Sequence, residues 1–230
     1  MENKKIEDSI MSIELKYSKD KDNPVKVFDS FKLMFQSIID SQTELVRKIN
    51  PTLNVDFLLT DVKSASIWAD MTRRTITIEE ENGTLLKDET KGDVNEYVNR
   101  STELIIQKMA ESKNNPIHSD DVINLTNEIN KIAVETKISE TPNYKVPNIV
   151  LIADALEMAT KATKLLSEED SFEFIRKDKE PISVNKVYTD IDKSKLVSEA
   201  KEKIVESEKT MLLKIKIADL HNYLIKITKG

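Results

Sequence analysis

The sequence predicts an α+β fold: a small antiparallel sheet, supplied by both ends of the chain, packs on a long N-terminal helix and a central group of three helices. Two patterns support this prediction. In one early stretch and in the middle, apolar residues recur every three or four positions, which is typical of amphipathic helices. Nearer both ends they alternate with polar residues, as in strands that bury one face. The chain has 230 residues, 39 % of them hydrophobic, which is enough for a sizeable core.

We expect one domain over residues 12–230, after a flexible N-terminus at 1–11. The domain is predicted to have a strand-helix-hairpin part (12–86), a helical part (93–166) and a strand-rich part (171–230). Polar stretches, typical of surface connections, separate these parts.

The clearest element is the long N-terminal helix, which follows a short predicted strand at Ser12 to Tyr17. Asn23 can cap the helix, and Pro24 suits its first position. One apolar stripe then runs as far as Asn50-Pro51, where a proline stops the helix. This stripe is predicted to organise the core.

Two alternating segments, Leu53 to Leu59 and Ser66 to Glu79, are predicted to be strands that pair as antiparallel neighbours. The single tryptophan, Trp68, lies in the second segment. A ring at this place is expected to pack in the core or on the sheet.

Three helices are predicted in the middle of the chain. The first begins at Val94 and ends at Asn114-Asn115-Pro116. The second is expected to be capped by Ser119, and the third begins at Ile149. Their short connections favour antiparallel neighbours.

The C-terminal part is predicted to contain two short strands, a short helix and a final hairpin. These elements are centred on Phe172 and Phe174, on Ile182 and Val184, on Leu196 to Val205, and on Leu213 to Thr228. In the last predicted strand Tyr223, Ile225 and Ile227 alternate with other residues, and we expect no segment that covers this strand. We therefore expect an exposed edge there, with these three as partner-binding residues.

Several kinds of chemistry are excluded by composition. The chain has no cysteine, so disulfides, cysteine-based metal sites and thiol nucleophiles are ruled out. Its three glycines are not clustered, so no phosphate-binding glycine loop exists. His118 and His221 do not have a zinc-site spacing and are expected at the surface. We predict no catalytic residue, no cofactor and no metal site.

Acidic residues invite a metal hypothesis, which their spacing does not favour. Asp190 and Asp192 resemble the start of a calcium loop, but Lys195 stands where glycine must turn and Lys201 where a bidentate glutamate must bind. Other acid clusters lie next to predicted element ends, where solvated charge is ordinary.

Charge and hydropathy point to a soluble cytoplasmic protein. The net charge is −6, whereas phosphate recognition favours a net basic face, so nucleic acid is not the expected partner. The sequence contains no run of about 18 apolar residues, so we expect no membrane partner. The first residues also lack the apolar stretch of a signal peptide.

Short motifs spread over the chain resemble an uncharacterised family of bacterial proteins. They are Val27-Phe28-Asp29-Ser30, Pro51, Leu58-Leu59-Thr60-Asp61-Val62, Ser66-Ile67, Ala133-Val134-Glu135-Thr136, Pro142-Asn143-Tyr144 and Met211-Leu212-Leu213-Lys214-Ile215-Lys216. The resemblance implies no assigned activity and a link to phage defence or mobile elements. It also implies that this chain lacks most of a C-terminal β-rich segment found in longer members.

Our leading functional hypothesis is a non-enzymatic interaction or scaffold protein that binds itself or another protein. The alternative is a metal-dependent enzyme acting on nucleic acid or nucleotides through acids that no motif reveals. A third hypothesis is a small-ligand sensor with a pocket between sheet and helices around Trp68.

Overall fold

The computed structural model describes residues 5–18, 23–63, 67–77, 92–113, 115–176, 179–187 and 191–205. In this part of the chain the predicted α+β fold is confirmed. The strands are β1 (Lys5–Lys16), β2 (Leu53–Lys63), β3 (Ile67–Thr77), β4 (Ser171–Ile175) and β5 (Ile182–Asn185). The helices are α1 (Pro24–Ile49), α2 (Val94–Glu111), α3 (Ser119–Glu135), a short 3-10 turn (Ile138–Glu140), α4 (Ile149–Lys164) and α5 (193–205).

The five described strands form one antiparallel sheet in the order β2-β3-β1-β4-β5. The sheet therefore joins the N-terminal strands to two strands from the later part of the chain, as the sequence predicts. The predicted pairing of β2 with β3 is confirmed, with a bulge between Leu59 and Asp61.

Alternation decides which side chains of the sheet are buried. Met11, Ile13 and Leu15 of β1 are buried, and Phe172 and Phe174 lie beside them on β4. Because alternate residues point to opposite faces, this core face lies against the helices. Helices α1 and α2 contact the sheet, and the main contacts of α3 and α4 are with other helices.

The start and end of α1 follow from its terminal residues. The side chain of Asn23 accepts a hydrogen bond from the backbone N–H of Val25 at 2.9 Å, and Pro24 is the first helical residue. At the other end the backbone N–H of Asn50 donates to the carbonyl of Val46. Both ends of the helix are thus as predicted.

Two local predictions are wrong. Strand β1 begins at Lys5, seven residues before the predicted start at Ser12, and these earlier residues pair with β3. The cap of α3 is His118, not Ser119, which is the buried first residue of the helix. The backbone N–H of His118 donates to the Asp121 carboxylate at 2.8 Å, and this bond fixes the helix start one residue earlier.

None of the described helices combines the length and the apolar composition needed to span a bilayer. The predicted final hairpin falls outside the described residues, and so do His221 and the segment of Asp190.

Candidate functional site

One side of α1 carries three phenylalanines that run from solvent into the core. Phe28, Phe31 and Phe35 are separated by three and four residues, so they lie on one side of the helix. Phe28 is 63 % exposed, whereas Phe31 and Phe35 are partly buried. The rings of Phe31 and Phe35 stack with their centroids 5.9 Å apart. We call these three residues the aromatic ridge.

The aromatic ridge is anchored in the core. The ring of Phe31 lies 6.5 Å from that of Phe172, a fully buried residue of β4. At the outer end Val25, 66 % exposed, lies one turn before Phe28. Because the inner rings are held by packing, the ridge loses little conformational entropy when a partner covers it.

The exposed side of α1 next to the aromatic ridge is charged. Lys26, Asp29 and Lys32 are all exposed. No ion pair among the described residues involves Asp29 or Lys32, which are three positions apart and bear opposite charges. Both side chains are thus available to a partner that covers the ridge.

A second unusual feature is the buried guanidinium of Arg73. Arg73 lies on β3 between Met71 and Thr75 and is only 1 % exposed. One terminal nitrogen donates to Gln42 Oε1 of α1 at 3.1 Å, and the other donates to Asn95 Oδ1 of α2 at 2.6 Å. Its Nε has no hydrogen-bond partner. Arginine is rarely buried to this extent unless it is paired with an acid.

The electrostatic surroundings of Arg73 do not compensate its charge. Burial and, to a smaller extent, the positive charge of Arg176 lower the pKa of Arg73 to about 10, while Asp93 acts in the opposite direction. Both hydrogen-bond acceptors are neutral amides. The interior between β3 and the start of α2 therefore holds a positive charge with no bound carboxylate in the described part of the chain.

Neighbouring buried hydroxyls are also without hydrogen bonds. The side-chain oxygens of Thr75, Tyr97 and Ser101 are buried and have no hydrogen-bond partner. The rings of Tyr97 and Tyr144 meet edge to face with centroids 6.3 Å apart. Burial, reinforced by Tyr144, raises the pKa of Tyr97 well above its ordinary range.

A small cavity of about 20 Å³ lies between the sheet and α2, with room for roughly one water molecule. It is lined by Met11, Gln42, Asn99, Ile106 and Phe174, among others. Gln42 connects the cavity to Arg73, because the same side chain accepts the hydrogen bond from Arg73.

An ion-pair cluster closes one side of this cavity. Glu103 of α2 accepts hydrogen bonds from Arg176 at 2.6 Å and from Lys179 at 2.5 Å. Arg176 directly follows β4, and Lys179 lies in the connection from β4 to β5. We call these three residues the Glu103 clamp. All three line the cavity.

The structure does not test the partner-binding residues predicted from sequence. Tyr223, Ile225 and Ile227 lie outside the described residues. The exposed edge therefore stays a prediction.

The predicted ligand pocket around Trp68 is placed wrongly. Trp68 alternates with buried Ala69, so its ring is on the sheet face away from α1 and α2. There its Nε1 donates to Asp70 Oδ1 at 2.7 Å, and the hydroxyl of Ser12 donates to the same oxygen at 2.5 Å. The cavity between sheet and helices lies on the other face.

In the described ranges, no three histidine, aspartate or glutamate side chains are grouped closely enough to hold a metal ion. His118 is exposed, as expected. Nothing in this part of the chain favours the metal-dependent enzyme, which stays an untested alternative.

Sequence reasoning missed both features described above. The spacing of Phe28 matches the apolar stripe of the long N-terminal helix, which the sequence predicts to organise the core. The spacing alone does not show at which residue the stripe leaves the core. Arg73 could have been found, because strand alternation places it on the same face as Ala69 and Met71.

Comparison of the chain with protein-family models, with curated proteins and with solved structures finds no match.

Proposed function

We propose that the protein acts by binding protein, without catalysis, and that a second copy of the chain binds at the aromatic ridge. The observation that supports this proposal is the exposed ring of Phe28 at the end of a ridge held by the core. Aromatic side chains that are anchored yet exposed contribute strongly to protein interfaces. A partner would bury Phe28 and Val25 together.

The charges beside the ridge favour a second copy as the partner. In a two-fold symmetric pair the same patch faces itself, so it must be self-complementary. Asp29 and Lys32 meet this condition, because an antiparallel pair of α1 helices can place each lysine near the aspartate of the other copy. The aromatic ridges would then pack between two ion pairs.

The first experiment measures native mass by light scattering at two concentrations. We expect a dimer for the natural sequence and a monomer for Phe28→Glu, because a charge on the ridge opposes its burial. Val134→Glu is the matched control: Val134 is 61 % exposed, but it lies on α3. Equal dimerisation of the natural sequence and Phe28→Glu would reject the ridge as the interface.

A charge exchange tests the symmetric arrangement. Asp29→Lys should weaken the dimer at least about fivefold, since it leaves only like charges beside the ridge. The double variant Asp29→Lys, Lys32→Asp should recover most of the affinity. If the double variant is no tighter than the single one, the antiparallel pairing is wrong.

The protein could also self-associate through the edge of the last predicted strand instead of through the aromatic ridge. Ile225→Lys with Ile227→Lys should leave the dimer intact if the ridge is the interface. Loss of the dimer in this variant, with Phe28→Glu still dimeric, would favour the edge predicted from sequence. A monomer at both concentrations would reject self-association.

The role in phage defence or mobile elements stays a prediction of the family resemblance.

A further inference from the structure

We propose that the groove between α2 and α3 binds a small zwitterion, namely a free amino acid with an apolar side chain. Glu128 binds the ammonium group of this ligand and Lys131 binds its carboxylate. Leu104 and Ile132, which also line the groove, hold its side chain. None of these residues belongs to the aromatic ridge, so the proposal does not depend on self-association.

The groove has the size of a small-ligand site. Its volume is about 320 Å³, and ligand sites commonly have about 300–1,000 Å³. Gln107, Glu128 and Lys131 line the groove and are exposed. The groove is therefore open to solvent, and a small ligand has direct access to it.

Two ion pairs between the helices close the ends of the groove. At one end Arg100 of α2 pairs with Glu135 of α3, and at the other Lys108 of α2 pairs with Asp121 of α3 at 2.7 Å. Arg100 and Lys108 are eight positions apart, which is roughly 12 Å at about 1.5 Å per residue. This length suits a small molecule, whereas a helix of typical length, about 10–14 residues, does not fit between the two pairs.

The charges of the groove favour a ligand without net charge. Its lining contains three cations and three acids, which are Arg100, Lys131, Lys179, Glu103, Glu128 and Glu135. Arg100 is paired with Glu135, and Lys179 is paired with Glu103 in the Glu103 clamp. No ion pair in the described ranges involves Glu128 or Lys131. The groove therefore offers one carboxylate and one ammonium group to a ligand.

The positions of these two groups match the two charges of an amino acid. Glu128 and Lys131 are three residues apart on α3, so they lie on one side of the helix with Cβ atoms about 5–6 Å apart. Both can therefore reach the adjacent ammonium and carboxylate groups of one small ligand. Gln107 lines the groove from α2, and its amide can donate to the carboxylate as well.

The floor of the groove is apolar. Ile132 is only 6 % exposed, and Leu104 is partly buried against the core. Burial of an aliphatic ligand side chain against these two residues removes apolar surface from water, which is favourable. The floor thus selects an amino acid with an apolar side chain over one without a side chain.

The test is a calorimetric titration of the full chain with L-leucine at pH 7. N-acetyl-leucine lacks the ammonium charge and leucinamide lacks the carboxylate charge, so they are the matched ligands. We expect saturable binding of leucine and a Kd about fivefold higher for each matched ligand, the upper range for an exposed ion pair. Glycine should also bind more weakly than leucine, because it does not cover the apolar floor.

Two variants assign the charges of the groove. Glu128→Gln should weaken leucine binding about fivefold but leave N-acetyl-leucine binding unchanged. Lys131→Gln should weaken leucine binding equally but leave leucinamide binding unchanged. Both residues are exposed, so the fold should stay intact. Glu140→Gln, which changes an exposed glutamate of the 3-10 turn outside the groove, is the matched control and should bind leucine like the natural chain.

Several outcomes would overturn the proposal. These are no saturable binding of leucine, equal Kd values for leucine and both matched ligands, or tighter binding of glycine than of leucine. Equal leucine binding by Glu128→Gln, Lys131→Gln and Glu140→Gln would also overturn it, because the ligand would then bind elsewhere.

Discussion

Gly92 occupies the point where the start of α2 comes closest to the end of α3. Its φ is +78°, and a Cβ placed there would lie 2.0 Å from the carbonyl oxygen of Thr136. The next residue, Asp93, donates its backbone N–H to that same oxygen at 3.2 Å. No side chain fits between the two backbones, so this contact requires glycine.

Gly92→Ala should therefore lower the free energy of unfolding by about 2–4 kcal/mol, because backbone strain and a backbone clash add together. Urea unfolding followed by circular dichroism would measure the loss. A loss below about 0.5 kcal/mol, as at ordinary surface positions, would mean that the two helix ends do not approach as described.

Lys137, which follows Thr136 at the end of α3, is a non-glycine residue at a position where glycine would be favourable. It follows α3 with a φ of 61°, the left-handed region. Glycine is the preferred residue at this position after a helix. Lys137→Gly should raise the free energy of unfolding by about 0.5–1 kcal/mol, since it removes the strain of a side chain in that region. The same urea experiment checks it, and a destabilised variant would contradict it.

At the scale of elements, α1 and α4 pack through small residues. The hydroxyls of Ser30 and Ser37 donate across the interface to the carbonyls of Ala162 and Ala155, at 2.8 Å and 3.0 Å. Ala159 is buried on α4 and lies between Ala155 and Ala162 in the sequence. Small side chains let the two backbones approach, so the bonds run directly from side chain to the facing helix.

Ala159→Leu should force these helices apart and cost about 1–3 kcal/mol of stability. Ala159→Ser is the matched control, because a serine in a helix can donate to its own preceding turn, as Ser41 does to Ser37. The midpoints of thermal unfolding of the two variants would decide the comparison. If leucine is tolerated as well as serine, the interface is looser than the hydrogen bonds imply.

The elements that the sequence predicts well are those whose signals are local. The cap at Asn23 and the break at Asn50-Pro51 are local, and α1 ends where they indicate. The start of β1 at Lys5 depends on pairing with β3, which no local pattern contains. The exposure of Phe28 likewise depends on where α1 leaves the sheet. The exposure of Phe28 and the pairing of Glu103 with Arg176 and Lys179 therefore required the structure, whereas strand alternation alone places Arg73 on the buried face.

At the scale of the whole molecule, the buried tyrosines determine how stability responds to alkaline pH. Burial raises the pKa values of Tyr97 and Tyr144 above their ordinary value of 10.0. Their contribution is fully present below pH 10.0 and falls above it, where only the unfolded chain loses the protons. Arg73 acts in the opposite sense. Its pKa is about 10 in the folded chain, so above this pH the folded chain loses the buried charge while the unfolded chain keeps its proton. The destabilising effect of the buried charge therefore decreases as the pH rises.

Tyr97→Phe should reduce the alkaline loss of stability. It removes the titrating group and also a buried hydroxyl that has no hydrogen-bond partner. At pH 7 we expect the variant to be unchanged or about 1 kcal/mol more stable. Melting temperatures measured from pH 7 to about pH 11 would show a shallower decline than in the natural chain. An equally steep decline would mean that Tyr97 keeps its ordinary acidity.

The central position of β1 in the sheet has a consequence during synthesis. One edge of β1 pairs with β4, where Lys16 lies opposite Ser171, a partner that leaves the ribosome about 155 residues later. At 5–20 residues per second this delay lasts roughly 8–30 s. Throughout that time the nascent strand has an edge open to other chains. Faster translation, which shortens this delay, should therefore favour recovery of soluble protein.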